Sequence, residues 1–128
     1  MSKKDELAKY IVHRPKEFNP EVILVYLDTI DRHFIKAEEL YDEHKDQMQE
    51  MFDYVVSEKV LNNSTSIAQA KVQATNDERY KKVKAELRKT KALYLLKKIE
   101  AKNGHSYCDN LKQQSINQLA IDKLTRTN

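Results

Sequence analysis

Between Ile23 and Val55 the chain repeats apolar or aromatic side chains every seven residues on two interleaved tracks. Leu27, Phe34, Tyr41, Met48 and Val55 form one track, and Ile23, Ile30, Ala37, His44 and Met51 precede them by four positions. Nine of these ten positions are apolar or aromatic. A heptad seam sustained this long predicts a helix that lies along another helix. Its start is marked by Asn19-Pro20, an N-cap residue followed by the one residue that suits the first helical position. The pattern then runs to about Leu61, a rod of roughly 60 Å at 1.5 Å per residue. Four polar residues, Asn62-Asn63-Ser64-Thr65, break it.

Beyond the break a second helical pattern occupies about residues 66–102. Thr75-Asn76-Asp77-Glu78 reads as a capping box inside it, with the threonine and glutamate satisfying each other's amides, or as part of one continuous helix. Asn103-Gly104 reads either as a C-cap or as a small residue allowing close helix crossing. Ile116, Leu119, Ala120 and Leu124 predict a last helix over about 105–124. Upstream, residues 1–18 form an arm with one short helix over Lys4–Val12, stopped before Pro15 because the residue preceding proline is pushed out of helical geometry. The expected fold is all-α: a long antiparallel, coiled-coil-like helical hairpin over 19–124, with the acidic helix at about 19–61 and the arm at 1–18.

The second helix carries two apolar lines. Tyr80, Val83, Leu87, Tyr94 and Ala101 form one; Ala85, Ala92, Leu96 and Ile99 form another, more than a quarter turn away. Two apolar faces imply two neighbours, the first helix and a second subunit, so a homo-oligomer is expected.

Composition narrows the class further. One Gly and two Pro leave too few turn residues for a β-rich chain. No run approaches the ~18 apolar residues that cross a bilayer, and the lone Cys108 has no internal disulfide partner and no metal-ligand spacing. A soluble, cytoplasmic protein is expected.

Charge is divided along the chain. Residues 20–60 hold eleven acids against four bases, whereas residues 77–102 hold ten bases against four acids. On a helical wheel Lys81, Lys84, Arg88, Lys91, Lys98 and Lys102 fall within an arc of roughly 100°, a rail about 30 Å long of the kind that tracks a phosphate backbone. Tyr80 and Tyr94 border it as candidate stacking platforms for bases. The first helix has an acidic stripe, Asp28, Asp31, Glu39, Asp42, Asp46, Glu50 and Asp53. Pairing of the two stripes inside the molecule is therefore the competing reading, and flanking charge pairs of that kind set helix orientation.

Catalytic chemistry finds no constellation. His44 sits in the seam, where a single polar residue fixes register more often than it ligates metal; His13, His33 and His105 are scattered. Nearby acids such as Glu43 and Asp46 do not give the Glu-x-x-His pair on each of two helices that a buried di-metal site requires, and Gly104 alone makes no phosphate-cradling loop. The expectation is a non-enzyme without metal or cofactor.

The segment from Tyr26 to Ile116 has a recognisable organisation. An acidic helix, YLDTIDRHFIKAEELYDEHKDQMQEMFDYVVSEKVL, leads through a polar break into AQAKVQATNDERYKKVKAELRKTKALYLLKKIEA and a polar tail, YCDNLKQQSI. This resembles small bacteriophage proteins of the UvsY-like recombination-mediator type, most of all in Ala68–Ala74 leading into Asp77-Glu78-Arg79-Tyr80 and a long Lys/Glu helix. The resemblance implies an all-helical oligomer that binds single-stranded DNA and loads a RecA-type recombinase onto strands coated by single-strand-binding protein. The DNA-contacting role it implies falls on Lys81, Lys82, Lys84, Arg88, Lys89 and Lys91. The strongly acidic first helix and Asn103-Gly104 depart from that pattern. The alternative expectation is a phage-encoded inhibitor or adaptor that grips a host protein through the acidic face.

Overall fold

The computed structural model describes residues 2–9 and 12–127, the side chain of Thr127 excepted. All regular structure among the described residues is helical: α1 (Lys3–Lys9), α2 (Pro20–Asn63), α3 (Ile67–Thr75) and α4 (Glu78–Thr127). The all-α expectation holds.

Local capping chemistry explains where these helices begin. Asn19 Oδ1 accepts from the Glu21 and Val22 amides at 3.1 and 3.4 Å, so α2 starts where Asn-Pro places it. Ser66 Oγ caps α3 by accepting from the Gln69 amide at 3.2 Å. Between α2 and α3 the backbone turns through Ser64, at φ 51°, and Thr65 Oγ1 donates to the Lys59 carbonyl at 3.1 Å. That bond ties the turn back onto the end of α2.

Three boundaries differ from the sequence reading. The capping box at Thr75 and Glu78 is not made. Thr75 Oγ1 donates to the Val72 carbonyl, and Asp77 is the cap of α4, its Oδ1 accepting from the Arg79 amide at 2.9 Å. The expected helix over 66–102 is thus two helices, α3 and the start of α4. At its other end α4 passes through Asn103-Gly104 without interruption, so there is no separate helix over 105–124. Finally, α1 is described over Lys3–Lys9 and Val12, the last residue of the expected helix, is irregular; Tyr10 and Ile11, which the expected helix included, lie outside the described residues.

The chain forms two compact units, Met1–Ile35 with Leu96–Asn128, and Lys36–Leu95. In the first, Ile23, Tyr26 and Ile30 of α2 pack on Cys108 of α4, with Val12, Phe18, Leu27, Tyr107 and Leu111 around them. Gly104 lies buried in this unit, and a Cβ there would overlap Ile30 Cδ1 and sit 2.8 Å from the Tyr26 hydroxyl. Close approach, not termination, is the role of this glycine. The arm is held to α4 by Tyr107, whose hydroxyl donates to the Pro15 carbonyl at 2.6 Å while the Arg14 guanidinium lies 4.9 Å from its ring centroid.

In the second unit α2 and α4 pair antiparallel through side chains that descend along one as they ascend the other. Tyr41 stacks on Tyr94 with centroids 5.3 Å apart, His44 Nδ1 meets Thr90 Oγ1 at 3.2 Å, and Phe52 packs on Tyr80. Ala37, Val55 and Thr90 have no exposed surface, and neither do Ala70 and Ala74 of α3. All ten seam positions named from the heptad pattern are buried or half-buried.

Candidate nucleic-acid interface

The inner face of α4 is set by its packing. Val83, Leu87, Thr90, Leu93, Lys97, Ala101, Gly104 and Cys108 are buried or half-buried, and their steps of three and four residues trace one side of a helix. The opposite side is therefore left to solvent, and the basic residues stand there. Lys81, Lys84, Arg88, Lys91, Lys98 and Lys102 are all exposed. Four belong to the Lys36–Leu95 unit, and Lys98 and Lys102 to the other.

The pairing of basic with acidic stripe is not what the rail's side chains do. Lys81 reaches Glu78 of its own helix at 3.8 Å, and the Lys84 ammonium lies 5.8 Å from the Tyr80 ring centroid. Among the described residues no ion pair reaches Arg88, Lys91, Lys98 or Lys102. Of the flanking cations, Lys82 is exposed and Lys89 pairs with Glu86 on α4 at 3.3 Å.

The acidic stripe is likewise occupied elsewhere or left to solvent. Asp28 pairs with Arg32 at 2.9 Å and Asp42 with Lys45 at 3.2 Å, both within α2. Asp53 accepts from Gln49 at 3.0 Å. Glu39, Asp46 and Glu50 are exposed. Asp31 faces α4, but its partner there is His105, whose Nε2 lies 2.9 and 3.0 Å from the two carboxylate oxygens.

Among the described residues, carboxylates and Lys or Arg side chains of different elements meet at the α3–α4 junction. Arg79 donates to both oxygens of Glu58, at 2.8 and 3.2 Å, and to Asp77 through Nε and a terminal nitrogen. The Asp77 carboxylate also lies 3.9 Å from the Lys59 ammonium. The hydrogen bonds from Arg79 hold Asp77 down to about 2 and Glu58 below its ordinary value, and the same two carboxylates push Arg79 upward. This is a fork-to-carboxylate staple for the turn rather than a site with free valence.

Tyr80 and Tyr94 need correction as stacking platforms. Both are half-buried, and each already packs on an aromatic ring of α2: Tyr94 stacks on Tyr41, and Tyr80 meets Phe52 at a tilt of 58°. They lie on the line shared with Val83 and Leu87, so packing claims them. His44 meets Thr90 within the seam, as a register residue would. Cys108 is buried, and burial pushes its thiol upward, with Asp109 adding to the effect. That is the opposite of what a reactive thiolate requires.

Sequence reasoning missed Lys97. It is 2% exposed, on the inner face, with its ammonium 3.1 Å from Glu100 Oε2. The signal was present: Lys97 is the one cation of the Lys97-Lys98 pair in phase with Leu93 and Ala101. The second apolar line, Ala85, Ala92, Leu96 and Ile99, is exposed throughout.

Comparison with family models, curated proteins and solved structures returns no match. Among the described residues no helix is long and apolar enough to cross a membrane.

Proposed function

We propose that the protein binds single-stranded DNA along the outer face of α4, as an accessory to recombination or replication. One observation supports this above the others: all six rail cations are exposed, and none is paired with a carboxylate of α2. A row of solvated cations on a helix face gains from releasing the counterions of a polyphosphate, whereas the same row neutralised inside the fold would not. The finer role, loading a recombinase onto strands covered by single-strand-binding protein, draws only on the resemblance of the Tyr26–Ile116 segment to UvsY-like mediators.

The test is charge reversal at Lys84, Arg88 and Lys91. Salt-sensitive binding of a labelled single strand should be lost while helical content is retained, and binding that survives the triple variant refutes the reading.

A second reading is supported by the exposure of Asp46 and Glu50 on α2. An acidic helix face is suited to gripping a basic surface on another protein, and it repels polyanions. Under that reading, neutralising Asp42, Asp46 and Glu50 impairs capture of the protein partner, and reversal of the rail does not.

A further inference from the structure

The rail keeps a strict alternation of three- and four-residue steps, 81, 84, 88, 91, 95, 98, 102, and one of those seven positions is not a cation. Leu95 occupies it. It is 44% exposed, and beside it Leu96 and Ile99 are 50% and 56% exposed. At 100° per residue Ile99 lies in register with Lys81 at the edge of the rail, with Leu96 just outside it. The solvent face of α4 is therefore basic along one side and apolar along the other, and the apolar side is widest where the cations are interrupted.

We infer that Leu95, Leu96 and Ile99 form a contact for the unstacked bases of the strand whose phosphates follow the rail. The inference rests on the reading of the rail as a phosphate track. A duplex offers such a helix face only its phosphates, because its bases are stacked and paired. A single strand can turn bases towards apolar side chains while its backbone stays on the cations. The packing of Tyr80 and Tyr94 against α2 makes this contact the more necessary, since it removes the aromatic platforms from the face.

A second copy of the chain is the other occupant to weigh. The exposed line comprises one leucine, one isoleucine and two alanines beside Leu95, a narrow strip against the ~1,200–2,000 Å² that specific, stable interfaces bury. An isologous pairing through it would also bring two six-cation rails alongside each other. Charge complementarity favours the polyanion.

The experiment uses the full chain and three labelled probes: oligodeoxythymidylate, an abasic deoxyribose-phosphate chain of the same length, and a duplex. Affinities come from fluorescence anisotropy, and mass in solution from sedimentation. The unmodified chain should bind the thymidylate strand about tenfold more tightly than the abasic chain, from the apolar surface the bases cover. Leu96→Gln with Ile99→Gln should erase that difference by weakening thymidylate binding alone. Glutamine is a good helix former, and both sites are exposed, so helicity should be retained; Leu96→Ala with Ile99→Ala provides a second pair. Equal binding of thymidylate and abasic chains by the unmodified protein overturns the base contact and leaves the phosphate track standing. So does a double variant that keeps the preference but falls in mass, which would make the strip a seam between copies. No salt-sensitive binding of any probe removes the track itself, and the base contact with it.

Discussion

Gly104 of α4 stands so close to Ile30 of α2 that a single added carbon would overlap the Ile30 Cδ1 methyl. Both residues are buried, and the Tyr26 hydroxyl closes the same space from 2.8 Å. Here a helix of 50 residues tolerates a glycine in its interior, at a propensity cost of about 1 kcal/mol relative to alanine, because the neighbouring helix fills the vacancy.

Gly104→Ala should therefore destabilise the fold by about 1 kcal/mol, an overpacking cost of about 2 offset by about 1 of helix propensity. Ile30→Val removes the methyl that the new Cβ would meet. Combined with Gly104→Ala, it should cost less than the sum of the two single changes, a coupling that urea denaturation in a double-mutant cycle reads directly. Strict additivity would show that the two residues do not share this space.

His44 and Thr90 should behave as a polar pair retained within an apolar seam. Thr90→Val alone leaves the imidazole without its partner and should cost about 1–2 kcal/mol, whereas His44→Leu with Thr90→Val should recover most of that loss. Thermal denaturation followed by circular dichroism gives the comparison. A double variant less stable than either single one would contradict it.

Acid should weaken the α3–α4 junction in a defined window. Asp77 titrates at about 2 in the folded chain against an ordinary 3.8, because Arg79 donates to its carboxylate. A lowered folded-state value means that the contribution is present at neutral pH and above 3.8, and is lost as pH falls through about 2. Denaturation midpoints of Asp77→Asn should therefore change less than those of the unmodified chain over that interval. Parallel acid profiles would separate Asp77 from the effect.

If all six rail cations contact phosphate, log K for a single strand should fall against log salt with a slope of roughly −4, from ~0.7 per contact. Each exposed cation changed to glutamine should reduce the slope by about 0.7. Lys97→Gln should leave it unchanged, because that ammonium is buried beside Glu100. A slope near zero would mean that binding, where seen, is not made through phosphates.

Asp42→Asn, Asp46→Asn and Glu50→Gln together should strengthen oligonucleotide binding at low salt by removing long-range repulsion, with the gain vanishing at high salt. Loss of oligonucleotide binding in this variant would place the acidic face inside the interface.

Much of the architecture is legible in the sequence because the forces that set it are periodic or local. The seven-residue repeat from Ile23 to Val55 predicts which side of α2 is covered, and Asn19-Pro20 carries its own start signal. Legibility fails where a distant residue decides. Gly104 reads equally as a stop and as a close crossing, and Ile30 and Tyr26, more than seventy positions away, settle which. Asp77 takes the cap expected of Thr75 because Arg79 rewards that geometry with further hydrogen bonds to the same carboxylate. The rail could be read because its cations recur at helical steps, but Tyr80 and Tyr94 lie at its border with the packed face, where a wheel cannot say which side wins. Lys97 is hidden from composition-based reasoning because a long aliphatic stem can lie among apolar neighbours while its tip finds a carboxylate.

The sequence of one compact unit is interrupted by that of the other, and this bears on the order in which the chain assembles at the ribosome. Lys36–Leu95 is a single continuous stretch, whereas the other unit joins Met1–Ile35 to Leu96–Asn128. Synthesis runs from the N-terminus, and units form as their residues emerge. The inner stretch can close while translation continues, but Pro15 must wait for Tyr107, 92 residues later, before its carbonyl finds a donor. Until then Ile23, Tyr26 and Ile30 present an uncovered apolar face to the cell, and this early segment is where a chaperone would have most to hold.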